Sequence, residues 1–121
     1  MQKKVLIVED NALNQRLFND LLAAEGYATL SASDGASALS LSRKTRPDLI
    51  LMDINLPRQS GIQATRRLKQ DDALSDIPVI AVTAHAMDGD EQRIREAGCQ
   101  DYIAKPVSLP GLLNLVRRHI C

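Results

Sequence analysis

Four apolar runs in this chain each end in a residue that can do chemistry. Val5-Leu6-Ile7-Val8 ends in two carboxylates, Glu9 and Asp10, and Leu49-Ile50-Leu51-Met52 ends in a third, Asp53. Val79-Ile80-Ala81-Val82 ends in a hydroxyl, Thr83; the shorter Tyr102-Ile103-Ala104 ends in an ammonium, Lys105, followed by Pro106. A carboxylate directly after a run as hydrophobic as Leu49–Met52 is costly unless it stands at an open strand end and has a task there. Asp53 is a potential nucleophile, since a carboxylate attacking phosphorus gives an aspartyl phosphate. Three clustered acids repel one another and would repel a phosphate. Mg²⁺ removes both obstacles, because it takes oxygen ligands and bridges to phosphate oxygens. Lys105 adds positive charge for the incoming group, and Thr83 offers a hydroxyl to a phosphoryl oxygen. Loose phosphoryl-transfer transition states need mainly this kind of positioning and neutralisation. Each residue alone has a plainer reading as a helix cap, a solvated loop residue or half of a common Lys-Pro pair. Their joint placement at the ends of the first, third, fourth and fifth strands is what points to a hard-metal and phosphoryl site.

Such a site needs a scaffold that gathers strand ends, and the chain alternates strand and helix throughout. Strands are expected at Lys4–Glu9, Ala28–Ala32, Leu49–Asp53, Pro78–Thr83 and Asp101–Ala104. The first helix spans Ala12–Glu25, with Leu13, Leu17, Phe18, Leu21 and Leu22 as a 3.6-period stripe, and stops at Gly26. The second begins near Asp34-Gly35 and ends before Pro47; the third follows Ser60-Gly61 and reaches Gln70. The fourth covers Asp88–Ala97 and is closed by Gly98. The last starts with Ser108 as N-cap and Pro110 in its first turn, with a stripe of Leu109, Leu112, Leu113, Val116 and Ile120. Continuous apolar strands alternating with helices predict an α/β fold, a parallel sheet covered on both faces, whose strand C-termini line one crevice. The fourth helix has a single large apolar residue, Ile94, amid acids and arginines, so it is expected to be the least anchored.

Composition narrows the function. The 121 residues suffice for one domain, and 45% hydrophobic residues suffice for a core. The aromatics are Phe18, Tyr27 and Tyr102, so the core is aliphatic and base-stacking platforms lack their material. Lys+Arg and Asp+Glu are 15 each, a balance that argues against a nucleic-acid reader. Arg66-Arg67 and Arg117-Arg118 read as solvated helix faces. No signal peptide or membrane-length apolar run is visible. Cys99 and Cys121 have no metal-type spacing; they read as a small packed hydrophobe and a frayed terminal residue in a reducing cytoplasm.

Val8-Glu9-Asp10-Asn11, Leu51-Met52-Asp53-Ile54-Asn55-Leu56-Pro57 with Ser60-Gly61, Val82-Thr83-Ala84 and Tyr102-Ile103-Ala104-Lys105-Pro106 together resemble the receiver domain of two-component response regulators. The resemblance spans essentially the whole chain. The stretches from Glu9 to Phe18 and from Ala86 to Cys99 are most similar to single-domain cell-cycle regulators within it. The resemblance implies a doubly wound, flavodoxin-like sheet of order 2-1-3-4-5 and a single receiver domain over residues 1–121 without an effector domain. It implies Asp53 as phosphoacceptor; Asp10, Asp53 and the Asn55 carbonyl as Mg²⁺ ligands, with Glu9 acting through water; and Thr83 and Lys105 as phosphate contacts. Tyr102 would be the aromatic switch beside Thr83. Asn55 and His85 would tune dephosphorylation, and the Lys105–Pro106 peptide would be cis.

The function this implies is a switch phosphorylated by a histidine kinase or histidine phosphotransfer protein, not an enzyme beyond its own phosphorylation and dephosphorylation. It would signal through a protein target at the face of helix four, strand five and helix five, as a monomer or weak dimer, without nucleic acid or membrane. The alternative is a receiver module from a hybrid histidine kinase or multidomain regulator; a Met directly before strand one favours the free-standing form. Two enzyme readings fit worse. An aspartate-nucleophile phosphatase wants a second acid two residues after Asp53, where Asn55 stands, and an FMN protein wants a phosphate-cradling loop after strand one, where the acids stand.

Overall fold

Runs such as Leu49–Met52 can be satisfied only between two apolar layers, and the chain builds them. The computed structural model describes residues 2–56, 60–84 and 89–120. The elements, in order, are β1 (Lys4–Val8), α1 (Ala12–Ala24), β2 (Ala28–Ala32), α2 (Gly35–Thr45), β3 (Leu49–Asp53), α3 (Gly61–Gln70), β4 (Val79–Thr83), α4 (Asp90–Ala97), β5 (Asp101–Ala104) and α5 (Leu109–Ile120). The strands form one parallel sheet of order β2-β1-β3-β4-β5, as expected. Because β1 and β3 are neighbours, Val8 stands opposite Met52, and the acids that follow both strands emerge side by side.

Side chains alternate across each strand, and the two faces have different cover. Leu6, Val8, Ile50, Met52, Val79 and Ala81 pack with Ala38 of α2, Ile62 and Leu68 of α3, and Ile94 and Ala97 of α4. Val5, Ile7, Leu49, Leu51, Ile80 and Val82 pack with Phe18 and Leu22 of α1 and Leu112 and Val116 of α5. The helices are capped by the residues the sequence offers. Asn11, Asp34 and Ser60 each accept the backbone N–H three residues on, and the Gly111 N–H donates to Ser108. The Lys105–Pro106 peptide is cis, as the family resemblance implies.

Some expectations need correction. In the α1 stripe only Phe18 and Leu22 are buried and Leu21 is partly so; Leu13 is 76% and Leu17 46% exposed. The helix meets the sheet along a narrow line, so residues one position before it around the helix form a second, outward ridge. Strand β1 ends at Val8, although the Glu9 N–H still donates to the Ala32 carbonyl at 3.0 Å, and β4 starts at Val79, after Pro78. Helix α1 ends at Ala24, and α4 starts at Asp90 behind Gly89, whose φ of 89° suits glycine. Asp88, the expected start of α4, and Cys121 lie outside the described residues.

Candidate functional site

The crevice is built from strand ends outward. Asp53, the last residue of β3, is 2% exposed, and the Asn55 N–H donates to its Oδ1 at 2.9 Å. Lys105, just past β5, brings Nζ to 3.3 and 3.2 Å from the two Asp53 oxygens. The carboxylate is therefore buried but paired, which is the condition for keeping a charge there. The backbone beneath it is fixed by Gly61 at the start of α3. A Cβ on Gly61 would lie 2.2 Å from the Asp53 carbonyl oxygen and 2.8 Å from the Ile54 Cα, and its N–H donates to the Ile54 carbonyl at 2.9 Å. Glycine stands there because two backbones press together.

Glu9 and Asp10 approach from β1. Glu9 is 2% exposed, whereas Asp10 is exposed. The Asn11 N–H donates to Glu9 Oε1 at 3.0 Å, and Gln15 donates to the Glu9 carbonyl at 3.0 Å, tying the strand end to α1. Burial pushes the Glu9 carboxyl up from 4.5 to about 7; the Asn11 N–H counteracts this, and the charge of Asp53 reinforces it. Among the described residues Glu9 Oε2 is buried without a hydrogen-bond partner. Carboxylate oxygens of Glu9, Asp10 and Asp53 lie within 4.8 Å of one another. Opposite ligands of an octahedral Mg²⁺ are about 4.2 Å apart, given Mg–O distances near 2.1 Å. The group thus suits a small hard cation after slight contraction, and the orphaned Oε2 is an acceptor lacking a positive partner. The residues fit Mg²⁺.

Thr83 ends β4 with a fully buried side chain. Its hydroxyl donates to Asp90 Oδ2 at 2.8 Å, so here it is turned toward α4. Asp90 is itself 7% exposed and pairs through Oδ1 with Arg93 at 3.2 Å. Tyr102 is half-buried, packs against the α4-side cluster, and carries the Arg95 guanidinium 5.7 Å above its ring. Tyr102 is in register with Ala81, which puts it on the same sheet face as Thr83. The structure thus gathers Glu9, Asp10, Asp53 and Lys105 at the strand ends, with the Asn55 backbone N–H on Asp53, and sets Thr83 and Tyr102 on the α4 side of the sheet. His85 and Pro57 lie outside the described residues. Asp90 and the close approach at Gly61 were missed from sequence. The only signal for Asp90 is an acid at a helix start soon after Thr83, and such acids are ordinarily read as dipole partners.

A five-stranded sheet of this order, with an acid cluster facing a lysine across the strand ends, is receiver architecture. The chain belongs to the response regulator receiver domain family, whose model matches residues 5–117. It is 55% identical over 120 residues to the polar-differentiation response regulator DivK of Brucella anthropi, covering 99% of this chain and 98% of that protein. DivK of Brucella ovis is 53% identical over 120 residues, with the same coverage of 99% and 98%. Among solved structures it resembles the receiver domain of the sensor histidine kinase PA1611 from Pseudomonas aeruginosa, which has a magnesium ion coordinated in the active site cleft. The TM-score is 0.92 at 36% identity, over 99% of this chain and 98% of that one. The chemotaxis response regulator CheY4 of Vibrio cholerae matches with TM-score 0.93 at 25% identity, over 99% of this chain and 100% of that one.

Proposed function

We propose that this receiver accepts a phosphoryl group on Asp53 and signals by presenting an altered protein-binding face. What carries the reading is the buried Asp53 carboxylate, set between two further acids and the Lys105 ammonium. An Asp53 oxygen attacks phosphorus and forms the P–O bond. The P–N bond of a donor phosphohistidine breaks, and the imidazole leaves with the electron pair; with acetyl phosphate, acetate leaves instead. Bound Mg²⁺ supplies charge neutralisation between the acids and the phosphoryl oxygens. Asp10 and Asp53 would hold it directly with the Asn55 carbonyl, and Glu9 would act through water. Lys105 neutralises a phosphoryl oxygen, and Thr83 donates its hydroxyl to another. Asn55 and His85 set how fast water returns the phosphate.

The phosphodonor is a histidine kinase or histidine phosphotransfer protein. Its approach is supported by a groove beside Lys105, lined by Asn14, Leu17, Phe18, Pro106 and Val107. Leu17, 46% exposed, gives that groove an apolar rim. The target binds the face of α4, β5 and α5. We place the protein in the cytoplasm, as a monomer or weak dimer acting as a single receiver domain in a DivK-like cell-cycle role. No described helix is long and apolar enough to cross a membrane. The second reading, a receiver module of a larger kinase, draws on the likeness to the PA1611 receiver. The higher identity to DivK, 55% against 36%, favours the first.

The test is mass spectrometry after incubation with acetyl phosphate and Mg²⁺. One phosphoryl group should be added, none without Mg²⁺ and none in Asp53→Asn. Full labelling of that variant at another residue defeats the assignment.

A further inference from the structure

Thr83 has one hydroxyl proton, and in this structure Asp90 takes it. The donor and acceptor are 2.8 Å apart, both side chains are buried, and the acceptor is a carboxylate. A hydrogen bond of this kind is among the stronger ones a side chain makes. The hydroxyl that could steady a phosphoryl group on Asp53 is therefore committed to the first residue of α4. A hydroxyl cannot donate to both acceptors at once.

We propose that Asp90 is a positioning residue that sets the threshold of the switch, holding the Thr83 hydroxyl toward α4 until a phosphoryl group competes for it. The proposal rests on Asp53 being the phosphoacceptor and adds what opposes its action. Winning Thr83 removes a buried side-chain hydrogen bond between β4 and the start of α4. Gly89, which precedes Asp90, has no side chain to cap the helix in its place. Arg93 keeps the released carboxylate paired through Oδ1, which limits the cost of the exchange. The same helix reaches the second switch position, because Arg95 covers the Tyr102 ring on the face that Thr83 shares. Loosening the start of α4 therefore loosens the cover over Tyr102. A residue at a helix start has an ordinary role as a partner of the helix dipole. That role needs no contact with Thr83, and the experiment separates the two.

The experiment measures the Mg²⁺-dependent affinity of the full chain for beryllofluoride, a phosphoryl mimic, in wild type, Asp90→Asn, Thr83→Val and the double variant. Backbone amide spectra are recorded for each. Asp90→Asn keeps the side-chain volume and weakens the acceptor; Asp90→Ser, a good helix-start residue, serves as the second variant. The affinity should rise about fivefold or more in Asp90→Asn. Amides of Ile94 and Tyr102 should already be displaced toward their beryllofluoride-saturated positions before the mimic is added. In the Thr83→Val background the Asp90 substitution should change nothing, because the hydroxyl it restrains is gone. Equal affinity in wild type and both Asp90 variants overturns this proposal alone and leaves the phosphoacceptor intact. The same rise with and without the Thr83 hydroxyl also overturns it, since Asp90 would then act by charge rather than through Thr83. A wild type that binds no beryllofluoride removes the phosphoacceptor reading and this one with it.

Discussion

Glu9 and Asp10 look equivalent in the sequence and are not equivalent in the fold. The cost of crowded acids falls on Glu9, which is buried while its neighbour is exposed. Which of two adjacent acids turns inward depends on where β1 ends, and alternation along a short strand does not settle that. The consequence is a pH dependence with a definite sign. Between 4.5 and about 7 folded Glu9 retains a proton that the unfolded chain has released. Its contribution to stability is therefore fully present below 4.5, is lost as pH rises toward 7, and stays lost above. Urea unfolding of the metal-free protein should show Glu9→Gln more stable than wild type at pH 8, by an amount on the order of 2 kcal/mol. The two should converge near pH 4, below the ordinary carboxylate value of 4.5. Mg²⁺ affinity of wild type should increase from about pH 6 to 8, as ligands must be deprotonated, and Glu9→Gln should lose that slope. Titration calorimetry at several pH values measures it. Asn55 and His85 belong to the same scale. Substituting either by alanine should change the decay of phospho-Asp53 several-fold in a phosphate-release assay; decay at the wild-type rate in both would make them bystanders.

The elements were legible where burial on both sides leaves no choice. β1, β3 and β4 are near-continuous apolar runs, and the structure places them within one residue of expectation. The α1 stripe was misread because a 3.6-period pattern does not say which of two adjacent ridges meets the sheet. That correction gives Leu17 a use. Leu17→Glu should slow transfer from a phosphorylated histidine phosphotransfer protein at least about tenfold, as the cost of burying a charge in a docking face. It should leave labelling by acetyl phosphate unchanged, since the small donor needs no docking. Parallel stopped-time labelling with the two donors checks this. α3 carries a different constraint. Gly61→Ala must separate α3 from the Asp53 backbone, and it should destabilise the fold by about 1–3 kcal/mol in urea unfolding. Slower acetyl phosphate labelling should accompany the loss, because the displaced backbone is the one that carries the nucleophile.

In the whole molecule, a parallel sheet covered on both faces was legible from strand–helix alternation and its order 2-1-3-4-5 only through the family likeness, whereas the wiring between β4 and α4 was not. Hydrogen-bond partners of a helix-start acid depend on a few degrees of helix placement, which no residue pattern records. Balanced charge leads to one more expectation. A mobility-shift titration at physiological salt should find no sequence-specific DNA complex. The two faces of the sheet have separate cover, α1 and α5 on one and α2, α3 and α4 on the other. Leu17 and the groove beside Lys105 belong to the first, and Thr83 with its Asp90 partner to the second. Under the reading proposed above, the donor is recognised along α1 and the target along α4, which share no residues, while α5 belongs to the donor side of the sheet and to the target face alike. After a gene duplication, one copy can acquire a new kinase by changes along α1 while keeping its old target, and the other can do the reverse. Neither change has to pass through a receiver that has lost its chemistry.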